Sequence, residues 1–134
     1  MMDLTLRKAI RYSAEMWKLI GDLGCNKQDA LNALRLKHSE IPDNVYCKCF
    51  ICEWVQRENQ KKCPASSIWG RYKGFGYRSC NFACEYAPNS PYKKWRQARV
   101  RGNPDIYAKI IEVGFRKLLA KLESGEEDEN SLSQ

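Results

Sequence analysis

Seven cysteines and a single histidine, His38, constrain this 134-residue chain more than any other feature. Six of the seven fall between Cys47 and Cys84, with Cys25 standing apart. With one histidine, a two-cysteine, two-histidine finger, an HExxH zincin and a two-histidine iron site are all excluded. The core of the cluster is Cys49-Phe50-Ile51-Cys52, followed eleven residues later by Cys63-Pro64, then Cys80 and Cys84. A C-x2-C pair lets two thiolates from one turn grip one ion, and two further sulfurs complete a tetrahedron. Cys49, Cys52 and Cys63 are the firmest ligands; the fourth is Cys84 or Cys80. Cys47 is able to replace one of the first pair. The set predicts one structural Zn2+. Four cysteines leave no open coordination position, so the ion is structural and not catalytic. An iron–sulfur cluster uses the same ligands, and the bland alternative is a set of buried, reduced thiols acting as small hydrophobes. Six cysteines within so short a stretch favour metal over that alternative.

An odd cysteine count argues against a fully paired secreted scaffold. The first twenty residues are interrupted by Asp3, Arg7, Lys8, Arg11 and Glu15, so no secretory signal is expected. No apolar run approaches a membrane span. The expected location is therefore cytoplasmic, where clustered cysteines more often bind metal than pair.

The formal charge is +7, unevenly spread. Residues 123–134 hold five acids and no base, so residues 1–122 carry 23 bases against 11 acids, or +12. An excess of that size points to polyanions or acidic partners without choosing between them. Four thiolates around one divalent ion carry about −2, which lowers the excess to about +10 and leaves some bases between Lys48 and Arg78 to neutralise the centre.

Helical periodicity organises both ends of the chain. Leu6, Ile10, Ala14, Trp17 and Ile20 recur at helical spacing, with Gly21 and Gly24 as terminators. Asn26 is placed to cap a second helix, with Asp29 three residues on and Ala30, Leu31 and Leu34 as its apolar face. Residues 45–84 read as loops with one or two short strands. Ser90-Pro91 then opens a third helix that Gly102 closes, and Asn103-Pro104 opens a fourth. Its predicted inner face is Tyr107, Ile110, Ile111, Gly114, Leu118 and Leu122. The expected fold is mainly α: one small domain, 1–122, of about four helices around a central zinc-stabilised loop region with room for one short hairpin. Residues 1–45 form its N-terminal helices, 46–90 its metal region and 91–122 its C-terminal helices. Residues 123–134 are expected to be a disordered acidic tail.

Cys49-Phe50-Ile51-Cys52-Glu53-Trp54, then Cys63-Pro64 with Trp69 nearby, then Cys84 ahead of Ser90-Pro91-Tyr92-Lys93-Lys94-Trp95, resembles a recurring group of small bacteriophage proteins. Their pattern is a CxxCE-aromatic pair, a CP, a further cysteine and an SPYxKW segment opening a helix. The preceding helix is similar too, including a tryptophan in the place of Trp17. The group often carries CxxCP in the middle, and here Gln60 stands in the first cysteine's place. By spacing to Ser90-Pro91, Cys84 matches the last ligand better than Cys80. The resemblance implies a phage-encoded, zinc-binding accessory protein and supplies no activity.

Two further signals bear on function. Lys73-Gly74-Phe75-Gly76-Tyr77 begins like an RNA-recognition motif, but Arg78 and Cys80 stand where an apolar and an aromatic residue belong. A glycine-hinged loop is the better reading. Lys93, Lys94, Arg96, Arg99 and Arg101 put five bases on one predicted helix, with Tyr92, Trp95 and Ala98 facing inward. That face suits phosphate contact, or an acidic protein surface. His38 lies in a charged stretch and is expected to be exposed. No carboxylate dyad, Ser-His-Asp set or phosphate loop is visible, so the chain reads as non-enzymatic. The expected partner is a host or phage protein, with nucleic acid as the alternative. Neither a membrane nor a small-molecule substrate is implied.

Overall fold

The computed structural model describes residues 4–45, 49–59, 64 and 90–124. These form five helices and, among the described residues, no strand. They are α1 (Leu6–Leu23), α2 (Lys27–Lys37), α3 (Phe50–Arg57), α4 (Pro91–Arg101) and α5 (Pro104–Ser124).

Local capping chemistry sets most of the boundaries. The Thr5 hydroxyl accepts from the Lys8 N–H at 3.1 Å to start α1. The helix runs through Gly21, which the sequence marked as a terminator, and Gly21 faces α5. A Cβ there would meet the Ala108 Cβ at 3.5 Å. It stops instead at Gly24, whose φ of 64° suits glycine and whose N–H donates to the Ile20 carbonyl at 2.9 Å. The Asn26 side chain accepts from Asp29 N–H at 2.8 Å to open α2. Ser90 does the same for Lys93 at 3.2 Å, with Pro91 in the first turn of α4. Asn103 accepts from Asp105 N–H, again at 3.2 Å, at the start of α5.

The central pair is α1 against α5, with α4 laid on α5 and both α2 and α3 on α1. From α1 the core takes Leu6, Ile10, Ala14, Trp17 and Ile20, the row that the periodicity predicted. From α5 it takes Ala108, Ile111, Phe115, Leu118 and Leu122. Ile110, placed on the inner face by sequence, is 44% exposed. The contact with α1 is centred on the 111–115–118–122 row, which rotates Ile110 outward. Trp17 joins the two halves: its ring meets Trp95 edge-on at 4.9 Å and Tyr92 at 6.1 Å.

The largest departure is α3. Residues 50–57 lie in the stretch read as loop and strand, yet they form a helix that buries Phe50, Ile51, Trp54 and Val55. The expected hairpin, residues 46–48, 60–63 and 65–89, and the tail beyond Ser124 lie outside the described residues. No described helix is long and apolar enough to cross a membrane.

Candidate functional site

Cys49 is the N-cap of α3 and Cys52 stands in its first turn. An i, i+3 spacing across a helix start brings both side chains to one side, where the first-turn N–H groups converge. Both thiols are half-buried and unoxidised. The Cys49 thiol is pulled down to about 6: the Cys52 thiol stabilises its anion most, burial opposes, and Lys27 and the backbone N–H groups of Cys52 and Ile51 add to the effect. Cys25 behaves oppositely. Burial pushes its thiol up, and its Sγ faces the Leu19 carbonyl at 3.9 Å. Cys49, a predicted ligand, and Cys25, the predicted bystander, are thus electrostatically distinct.

The chemistry of this pair fits a thiophilic ion: two adjacent sulfurs, one already favoured as the thiolate that metals bind. In the four-cysteine site expected from the sequence the pair would be two of the four ligands. Cys63, Cys80 and Cys84 lie outside the described residues, and among the described residues no group of three or more His, Cys, Asp or Glu is assembled.

Helix α4 carries the basic residues. Tyr92 and Trp95 are buried, while Lys94, Arg96 and Arg99 are exposed and Lys93 is half-buried. The helix reads Pro-Tyr-Lys-Lys-Trp-Arg-Gln-Ala-Arg-Val-Arg, with no acid. Lys93, Lys94, Arg96 and Arg99 form no ion pair within the described residues, although the Arg99 guanidinium lies 5.2 Å from the Trp95 ring centroid. The Arg101 side chain lies outside the described residues. Several bases elsewhere are paired: Lys18 with Asp22 at 2.6 Å, Arg57 with Glu53 at 2.8 Å and Arg116 with Glu112 at 2.7 Å.

Between α4 and α5 opens a cleft of about 800 Å³, lined by Lys94, Gln97, Ala98, Val100, Asn103 and Tyr107. Ala98, Val100 and the Tyr107 ring give it an apolar side, and Lys94 is the one base that lines it among the described residues. Val100 is 81% exposed, and Ile106, Ile110 and Val113 leave a further apolar row uncovered along α5 among the described residues.

Sequence reading missed three arrangements. His38, expected to be exposed, is half-buried: its Nε2 lies 2.9 Å from Glu15 Oε2 and its ring 4.8 Å from that of Tyr12. Tyr12 donates to Glu40, and its hydroxyl is pushed up to about 12, chiefly by burial and then by that bond. Glu112, 5% exposed, is held between Lys109 and Arg116. Only this last case had a local signal, the i, i+3 and i, i+4 spacing of opposite charges.

Comparison with protein-family models, with curated proteins and with solved structures finds no match.

Proposed function

We propose that this chain is a phage-encoded, non-enzymatic accessory protein. In this reading a structural zinc bound by Cys49, Cys52, Cys63 and Cys84 steadies its middle, and the α4–α5 face docks an acidic protein partner in the host cytoplasm. The observation that carries the docking reading is the set of α4 bases, Lys93, Lys94, Arg96 and Arg99, that form no ion pair among the described residues, beside an open cleft with Ala98, Val100 and Tyr107 in its lining. Exposed bases without carboxylate partners favour an acidic surface. Aliphatic groups such as Val100 gain little from a phosphate backbone but bury well against another protein. The two together favour a protein over nucleic acid. Modulation of a host protein, in host takeover or defence evasion, is the role that the phage resemblance brings to such a surface. The alternative, nucleic-acid binding through Lys93, Lys94, Arg96, Arg99 and Arg101, rests on the same bases and gives the exposed apolar groups such as Val100 no role.

Affinity capture from nuclease-treated host lysate tests the reading. One stoichiometric protein, lost on the double change Lys94→Glu and Arg99→Glu, is the expected result. Capture of nothing, together with nucleic-acid affinity that falls steeply with salt, would transfer the function to nucleic acid.

A further inference from the structure

The α4–α5 face has a shape as well as a charge. Helix α4 passes through Gly102 and Asn103 into α5, and the cleft of about 800 Å³ is lined from both helices and from that turn. Tyr107 is its contribution from α5, and Ile110 follows three residues on, a spacing that makes the two surface neighbours. Ile106, Ile110 and Val113 then form an exposed row at i, i+4 and i+7. Such a row, beside a groove between two helices, is the surface that a third helix packs against. Lys94 stands in the cleft lining, and exposed Lys117 extends the row by one further turn. Neither forms an ion pair among the described residues.

This chain has few acids to set against these bases. Ahead of Ser124, the acids outside the described residues are Asp3 and Glu85 alone. The stretch 65–89 that leads into α4 carries Arg71, Lys73 and Arg78 against that single glutamate. Past Ser124 come Glu126, Glu127, Asp128 and Glu129, but they start from the wrong end of α5. Ser124 is seventeen residues beyond Tyr107, roughly 25 Å along the helix. Five residues of fully extended chain span at most ~18 Å, so Glu129 does not reach Tyr107. A second copy related by a two-fold axis would set Lys94 and Lys117 against the same bases, and like charges facing one another oppose docking.

We propose that this face receives an amphipathic helix of an acidic partner protein. Its apolar stripe seats on Val100, Tyr107 and Ile110, and carboxylates on either side of the stripe meet Lys94 and Lys117. The inference rests on the acidic-partner reading given above and adds what the partner presents: one helix with an apolar face, not a charged surface alone.

Fluorescence anisotropy of the full chain with three synthetic helical peptides, each of about five turns, tests this at roughly 0.1 M salt. The first peptide carries a leucine stripe flanked by glutamates. The second keeps the stripe and replaces glutamate by lysine; the third keeps the glutamates and replaces leucine by glutamine. The first is expected to bind at least ~10-fold more tightly than either of the others, and to lose ~10-fold or more on Ile110→Asp, Val100→Asp or Lys94→Glu. Ile110 and Val100 are both exposed, so either variant serves if the other loses its helical circular dichroism. Equal affinity for the first and third peptides would overturn the helix seat while leaving an acidic partner in place. Equal affinity for the first and second would overturn both. Binding of the first peptide that none of the three changes weakens, or no peptide binding at all, would also overturn the seat. A duplex DNA oligonucleotide bound where no peptide binds would give the face to nucleic acid. Self-association of the chain, lost on Ile110→Asp, would give it to a second copy, and either result overturns the proposal.

Discussion

Helices α5 and α3 each dock on α1, but by different means. Helix α5 runs for 21 residues and buries Ala108, Ile111, Phe115, Leu118 and Leu122 in a continuous row. Helix α3 has 8 residues, too few to be stable alone, and begins at Cys49, whose thiol is pulled down to about 6 beside Cys52. Its four buried side chains, Phe50, Ile51, Trp54 and Val55, seat it against α1, with the Phe50 and Tyr12 rings 5.3 Å apart. The difference teaches where each region takes its stability. The helical body depends on side-chain packing; in the proposed reading the α3 corner adds a metal to a packing face of two turns.

The largest effect expected from that division follows removal of the metal. Structural zinc sites contribute on the order of 10–16 kcal/mol of binding energy in small peptides. Elemental analysis is expected to find one zinc per chain, and Cys52→Ser or chelation to abolish an early thermal transition belonging to the cysteine-rich region. A thermal melt unchanged by chelation would remove zinc from the account. Phe115→Ala strikes the other region and is expected to cost about 3–5 kcal/mol in denaturant unfolding, with zinc content intact. A loss below about 1 kcal/mol would show that the α1–α5 seam is not the core of the body.

A smaller effect is carried by Tyr12, which touches both regions through Phe50 and His38. Its hydroxyl ionises near 12 in the folded protein against an ordinary value of 10, so the folded state favours the neutral phenol. The stabilisation is complete below pH 10 and is lost as the pH rises through 12, amounting to on the order of 2 kcal/mol. Urea titrations across that range are expected to show a shallower decline in Tyr12→Phe; an identical slope would contradict the assignment. The smallest effect belongs to Arg96→Glu. With no partner in the described residues, Arg96 is expected to leave stability within about 0.5 kcal/mol of wild type while weakening partner capture. A destabilisation of several times that size would mean that α4 uses its bases internally.

Much of the body was legible because its signals are local. Asn26 with Asp29, Ser90 with Pro91, and the glycines at 24 and 102 mark helix ends through groups within four residues of one another. Helix α3 was harder to read. Phe50, Ile51, Trp54 and Val55 do recur at helical spacing, but over two turns only, inside a run that cysteine and glycine content marks as irregular. Ile110 and Ile111 show a different limit. Adjacent apolar residues leave the phase of a helix face open by one position, and the partner helix decides it. The cysteine pair was visible from its spacing, whereas the burial of Lys27 was not, since it depends on Trp17 and Tyr92 arriving from two other helices. The unpaired state of the α4 bases is likewise a tertiary fact, although the absence of acids from that helix already hinted at it.

The division between a packed body and a metal-pinned corner is most directly tested by amide hydrogen exchange on the full chain with and without a zinc chelator. The account predicts that the amides of residues 50–57 lose protection on chelation while those of α1 and α5 keep theirs. Equal loss across all three helices, or no loss in residues 50–57, would contradict it.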